Sequence, residues 1–261
     1  MDIFLHDWTV LLRNEKNRPV VKKYIHTLSR TILNGEWELN GEAIVVSDTG
    51  RLLQGQHRCL AVIEADAPIK VLLVVGVLDS AFSSFDRGKK RTTADVFSID
   101  GETNASTMAA AAKLMFEYVA YGDPYKGSRD VPSSKELLDV LANNPDLRDS
   151  AGWVAGAIWT KRNMTPAMAT FCHLVFHRHN PTAAASFFQS LEKGAGLEDG
   201  DPVLLLRERL AADLQAKTRL INRYKCALVF KAFRHHCRGQ KMKLIRVHTD
   251  GEHNEKQLFG L

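Results

Sequence analysis

The stretch GRLLQGQHRCLAVIEA, residues 50–65, places a group of polar residues where a strand is followed by a helix. Leu52 and Leu53 indicate a short strand, and the apolar residues that follow Arg58 have helical spacing. Between these two elements stands Gly55-Gln56-His57-Arg58. A glycine at a strand-to-helix turn lets the backbone approach a ligand closely, and the first N–H groups of a helix attract an anion. Since arginine binds phosphate in a bidentate way, the stretch predicts a phosphate site; a solvated turn with a His-Arg pair fits the same pattern.

Helix and strand signals alternate on both sides of this turn. Pro19 fits the first turn of a helix that Gly35 ends, and residues 43–46 have the composition of a strand. The run over residues 69–77 is rich in β-branched side chains, which predicts a buried strand. This alternation predicts an α/β domain over residues 1–104.

Strand signals nearly vanish beyond residue 103. Pro166, Pro181 and Pro202 each stand where a helix can begin, because proline is tolerated in the first helical turn. We therefore expect a mostly α-helical domain over residues 105–261, which contains a basic helix near its end and a final strand at residues 242–247.

The composition is that of an ordinary soluble protein. Of its 261 residues, 45% are hydrophobic and 25% are charged. The longest apolar run, residues 69–78, is too short to cross a bilayer, so we expect no membrane partner. The four cysteines are far apart in the sequence, and no secretory signal opens the chain. Together these features predict a cytoplasmic protein with reduced thiols.

Positive charge is concentrated near the C-terminus. The chain carries a formal net charge of +5, and residues 214–249 contain Lys and Arg but no Asp or Glu. A single helix over residues 217–238 would place five basic side chains on one arc, namely Arg219, Arg223, Lys231, Arg234 and Arg238. Such a stripe predicts contact with a nucleic-acid backbone, and the alternative is a solvated basic helix without a partner.

Three further groups of residues are suited to chemistry. In the polar turn at residues 86–91, Asp86, Lys89 and Arg91 are suited to clamp a second phosphate or a nucleic-acid strand; a plain solvated turn is the alternative. Glu42 precedes a predicted strand and would serve as a base or a metal ligand, or lie at the surface as an ordinary carboxylate. The pair His173 and His177 has metal-ligand spacing on a helix, but a partly buried pair without metal is the favoured interpretation.

Residues 17–77 resemble the N-terminal layout of the ParB/sulfiredoxin superfamily, in its "DGQHR" branch, which is frequent among phage and prophage proteins. The turn Gly55-Gln56-His57-Arg58 is similar to the Gly-x-His-Arg type motif of that branch. The polar turn and Asp95 look like its second signature, Asp-x-Gly-x-x-Arg-x-x-x-Asp. The resemblance covers residues 17–104 closely and the remainder loosely. Gln54 departs from it, because the branch usually has Asp there, and a metal-assisted or acid–base role at this position is in doubt.

The resemblance implies a small α/β domain that binds a nucleoside triphosphate, ATP or CTP, together with Mg²⁺. The nucleotide ligands that it implies are Gln54, Gly55, Gln56, His57, Arg58, Asp86, Lys89 and Arg91. The implied activity is hydrolysis or transfer of a phosphate, for which the catalytic candidates are His57, Arg58 and Glu42. Members of the superfamily differ widely in chemistry, so a non-catalytic DNA-binding or regulatory module and a nuclease are the alternatives. We expect the protein to act with DNA in the cytoplasm of a bacterial host, and to be able to form a homodimer.

Overall fold

The computed structural model describes residues 2–3, 17, 19–84, 92–127, 131–247 and 258–261. The chain divides into two compact units. The α/β unit comprises Met1–Lys90 with Ser128–Ser133, and the helical unit comprises Arg91–Gly127 with Ser134–Leu261. The boundary thus falls after residue 90 and not after residue 104, because Phe97 is fully buried in the core of the helical unit.

The described part of the α/β unit contains short strands and two helices. In chain order these are β1 (Asp2–Ile3), α1 (Lys22–Leu33), β2 (Ala43–Ser47), β3 (Leu52–Gln54), α2 (Gln56–Ala65), β4 (Ile69–Lys70), β5 (Leu72–Val77) and a 3₁₀ helix (Asp79–Ser84). The strand order in the larger sheet is β3-β2-β5, with β2 antiparallel to β3 and parallel to β5. Strands β1 and β4 form a separate antiparallel pair. Gln54 lies opposite Val45, so α2 begins beside the central strand.

The core of this unit lies between the sheet and its two helices. It is formed by Ile25 and Ile32 of α1, Cys59, Ala61, Val62 and Ala65 of α2, and Ile44, Leu52, Ile69 and Val71 from the strand regions. Because apolar residues recur at helical spacing in α1 and α2, each helix buries one side in this core.

Two predictions for this unit are wrong in detail. Strand β5 is not buried: Leu72 is 49% exposed and Val75 is 67% exposed, because β5 is an edge strand of the described three-stranded sheet. Helix α1 begins at Lys22 and not at Pro19, since Val21 still has an extended backbone.

The described part of the helical unit consists of helices joined by short loops. These are α3 (Thr93–Ile99), α4 (Ala105–Tyr121), α5 (Ser134–Asn143), α6 (Leu147–Gly156), α7 (Ile158–Asn163), α8 (Pro166–His179), α9 (Pro181–Lys193), α10 (Pro202–Gln215) and α11 (Asn222–Cys237). The three proline-marked helix starts are confirmed, and the preceding residues, Thr165, Asn180 and Asp201, each accept a backbone N–H with their side chains. The protein is therefore a mixed α/β chain that is mostly helical.

The centre of the helical unit is aromatic. Phe176 of α8 stacks on Phe233 of α11 with ring centroids 4.0 Å apart, and Phe171 lies 6.0 Å from Phe230. All four rings are fully buried. Helix α11 is therefore a core helix, and its apolar side holds the unit together.

The predictions for the C-terminal segment need two corrections. Residues 217–238 do not form one helix, because α11 begins only at Asn222 and the carboxylate of Asp213 accepts the backbone N–H of Leu220 at 2.6 Å. Residues 242–247 are not a strand in the described chain, because they pack irregularly against the helical core, with Ile245 buried there. Among the described residues, no helix is both long enough and apolar enough to cross a membrane.

Candidate functional site

Gly55 shapes the turn between β3 and α2. Its φ of +105° and ψ of 5° lie in the left-handed region, which residues with a side chain seldom adopt. A Cβ atom at this position would come 2.9 Å from Cγ1 and 3.2 Å from Cα of Ile44 in β2. The glycine thus lets the first turn of α2 lie against the central strand, and it leaves that turn without a capping side chain.

His57 fastens the start of α1 to the start of α2. Its side chain is buried, and its Nε2 accepts the backbone N–H of Val21 at 3.0 Å. The ring of Tyr24 contacts the imidazole edge-on, with centroids 5.5 Å apart. Because Nε2 accepts a hydrogen bond, the neutral ring carries its proton on Nδ1. The structure gives His57 a positioning role, and its action as a catalytic base stays a prediction.

Arg58 reaches back from α2 to the beginning of β2. Its Nη1 donates to the carbonyl oxygen of Ala43 at 3.0 Å, and its Nη2 forms an ion pair with the carboxylate of Glu42. The side chain of Arg58 is only 13% exposed, whereas that of Glu42 is 62% exposed. The guanidinium group is therefore held in place by the backbone, and a largely solvated carboxylate occupies its outer side. The sequence singled out both residues but did not pair them.

The remaining predicted phosphate ligands divide into two sets. Gln54 ends β3, and Gln56 begins α2 with its side chain buried, so the fold brings residues 54–58 together. Asp86, Lys89 and Arg91 lie outside the described residues. The predicted clamp between the two signatures therefore stays a prediction.

The described residues at this turn do not supply a cluster of metal ligands. No group of three or more His, Cys, Asp or Glu side chains in the described chain is placed to hold a metal ion. The carboxylate that the described residues place at this turn is Glu42, which pairs with Arg58. Mg²⁺ is usually bound by one or two carboxylates together with the phosphates of a substrate.

A second arginine occupies the opposite end of β2. Arg51 forms an ion pair with Asp79 at 3.3 Å and lies over the ring of Phe82, 4.4 Å from its centroid. Its side chain is 20% exposed. Its burial and pairing match those of Arg58, which makes it a useful control.

Three of the basic residues assigned to nucleic acid are engaged within the helical unit. Arg223 pairs with the fully buried Asp123 at 2.6 Å. Lys231 and Arg234 donate to backbone carbonyl oxygens at 2.9 Å and 3.1 Å. Burial lowers the pKa of Lys231, and the neighbouring arginines lower it further. These contacts tie α11 to neighbouring segments, so their first role is in the packing of this unit.

Arg219 and Arg238 are the exposed members of the predicted stripe. Arg219 precedes α11 and donates to the carbonyl oxygen of Leu214 at 3.3 Å, and Arg238 stands at the end of the helix. These two side chains are accessible to a polyanion. Contact with DNA stays a prediction that rests on them.

The histidine pair of α8 is packed into an aromatic cluster. The His173 ring lies 4.0 Å from that of His177 and 4.8 Å from that of Trp153, and its Nδ1 is 3.0 Å from Oγ of Ser150. Burial lowers the pKa of His173 to about 3, and His177 contributes to the shift. Both rings are thus partly buried, as the sequence favoured.

Comparison with known proteins found no match: no family model, no curated protein and no solved structure is significantly similar to this chain.

Proposed function

We propose that the α/β unit binds the phosphates of a nucleoside triphosphate, ATP or CTP, at the first turn of α2, as its resemblance to the ParB/sulfiredoxin superfamily implies. The position of Arg58 carries this proposal. Its guanidinium is fixed at the N-terminal end of a helix that has no capping side chain. The helix dipole and the guanidinium charge both favour an anion at this end.

The contacts favour binding without turnover. A general base must lie within hydrogen-bonding reach of the proton that it removes, and it must be free to accept that proton. The Nε2 atom of His57 instead accepts the backbone N–H of Val21 inside the fold. A nucleotide-responsive module is therefore preferred to a phosphatase, a phosphotransferase or a nuclease.

A thermal-shift titration tests the site. ATP, CTP and their diphosphates, each with and without Mg²⁺, should raise the melting temperature of the wild type, because a ligand at a hundredfold excess over Kd adds about 2.7 kcal/mol to the native state. Arg58→Ala should abolish this gain. Arg51→Ala is the matched control, because it removes a similarly buried, paired arginine from the other end of β2 and should leave the gain intact.

Two results would contradict the proposal. One is a nucleotide-induced shift that survives in Arg58→Ala, which would place the ligand elsewhere. The other is an equal loss of the shift in both variants, which would make the loss a consequence of general destabilisation. Sustained phosphate release by the wild type that disappears in Arg58→Ala would restore the enzymatic interpretation.

A further inference from the structure

The ion pair between Glu42 and Arg58 suggests why only a strongly bound anion would occupy the proposed site. The carboxylate is paired with Nη2 of Arg58, and Nη1 already donates to the carbonyl oxygen of Ala43. Both pairs of N–H groups with which an arginine holds an anion in a bidentate way include Nη2. An anion that binds Arg58 in a bidentate way must therefore displace Glu42.

Displacement requires only rotation of the Glu42 side chain. The backbone N–H of Glu42 donates to Oδ1 of Asn40 at 3.1 Å, which holds the main chain in place. Its side chain is mostly in solvent, so the carboxylate regains water when it leaves Arg58. Removing it breaks no other described contact of its side chain.

We infer that Glu42 is an internal competitor that sets an affinity threshold at Arg58. A terminal phosphate carries a charge of about −1.5 to −2 at neutral pH and binds a guanidinium strongly enough to displace a carboxylate. A phosphodiester carries a single negative charge, as the carboxylate does, and gains little by the exchange. The site would thus hold the terminal phosphate of a nucleotide and reject the diester backbone of a nucleic acid. This inference rests on the proposed function.

The test compares matched ligands and matched variants. Adenosine and cytidine 5′-monophosphates are titrated against their 3′,5′-cyclic monophosphates, which are diesters with the same base and sugar. The proteins are the wild type, Glu42→Gln, Glu42→Ala and Glu38→Gln, where Glu38 is an exposed carboxylate on the same segment. The affinities are measured by calorimetry or ligand-observed magnetic resonance at about 0.15 M salt. At this salt concentration exposed charges more than roughly 8 Å apart are largely screened, so the measured effects come from charges close to the ligand.

In the wild type, the 5′-monophosphates should bind more tightly than the cyclic forms. Both Glu42 variants should bind both kinds of ligand about three to ten times more tightly, the range expected for loss of one partly exposed ion pair. The gain should be equal for the two ligands, because a competitor is displaced before either can bind. Glu38→Gln should behave as the wild type does.

Other outcomes separate this inference from the proposed function. Wild-type binding without a gain in the Glu42 variants, or with a loss, overturns the inference and leaves the phosphate site standing. A gain confined to the doubly charged ligands shows simple charge repulsion and also overturns it. Absence of binding of the monophosphates, and also of ATP and CTP, to every protein, with each variant folded by circular dichroism, overturns the proposed function itself.

Discussion

Replacing Gly55 with alanine should destabilise the α/β unit by two separable effects. The first is the left-handed backbone, which costs a residue with a Cβ about 1–2 kcal/mol. The second is the contact of that Cβ with Ile44, at 2.9 Å from its Cγ1 and 3.2 Å from its Cα, which requires β2 or α2 to shift. Overpacking of this kind costs typically about 1–3 kcal/mol. The total loss should therefore be about 2–5 kcal/mol.

Gly41 supplies the control for the backbone effect. It too has a positive φ, +78°, but an added Cβ would meet nothing within 4 Å. Gly41→Ala should therefore show only the conformational cost, about 1–2 kcal/mol. The difference between the two variants then measures the contact with Ile44.

Hydrogen exchange of the backbone amides of β2 and α2 is the appropriate assay, because it reports the local free energy of opening in a chain with two units. Equal losses in Gly55→Ala and Gly41→Ala would refute the argument that close approach to β2 requires the glycine. The double variant Gly55→Ala with Ile44→Ala gives a further check. Removal of the Ile44 side chain should relieve part of the steric overlap with the new Cβ, so the two substitutions should show a coupling energy of about 1 kcal/mol.

Two further predictions concern the helical unit. The pKa of His173 is lowered to about 3 from an ordinary 6.5, so below pH 6.5 the unfolded chain takes up a proton that the folded chain does not. The free energy of unfolding should therefore fall toward pH 3, by up to about 1.4 kcal/mol per pH unit. Denaturant melts of His173→Gln should lack this slope. Arg223→Ala should cost about 3–5 kcal/mol in urea unfolding, because it leaves the carboxylate of Asp123 buried without its ion-pair partner; retained stability would contradict this. Contact with DNA is therefore better tested by Arg219→Glu with Arg238→Glu, which should flatten the salt dependence of binding by about two units; DNA binding with an unchanged salt dependence would exclude these residues.

The sequence predicts those elements of the fold whose signals are local. The turn at residues 47–50, the strand before it and the helix after Gly55 are confirmed, because turn residues, β-branched runs and helical spacing each act within a few positions. The wrong prediction that β5 is buried has a different origin. A strand of this apolar composition can lie at the centre or at the edge of a sheet, and only the pairing of distant segments decides between the two positions.

Tertiary contacts also explain why only part of the predicted basic stripe is exposed. A helical wheel counts the direction of each side chain but not its partners, and the partner of Arg223 is one hundred residues away in the sequence. Residue spacing alone therefore predicts a charged surface at Arg223, whereas in the folded chain this side chain neutralises the buried carboxylate of Asp123. Arg219 and Arg238 belong to the same predicted stripe as Arg223, but their side chains are exposed.

At the Gly-Gln-His-Arg turn, too, the sequence pattern alone does not distinguish residues that pack the fold from residues that bind a ligand. A glycine that lets a helix lie against a strand, a histidine that accepts a backbone N–H and an arginine that reaches a carbonyl oxygen are also the residue types that a phosphate would select. Structure and binding therefore need not be alternatives at Arg58. Its contact with Ala43 fixes the guanidinium before any ligand arrives, so less side-chain entropy is lost on binding. The contact with Glu42 is the one that a ligand must exchange. A variant that keeps the charge but not the fork, Arg58→Lys, should thus retain the fold better than Arg58→Ala while it still loses most of the nucleotide-induced stabilisation.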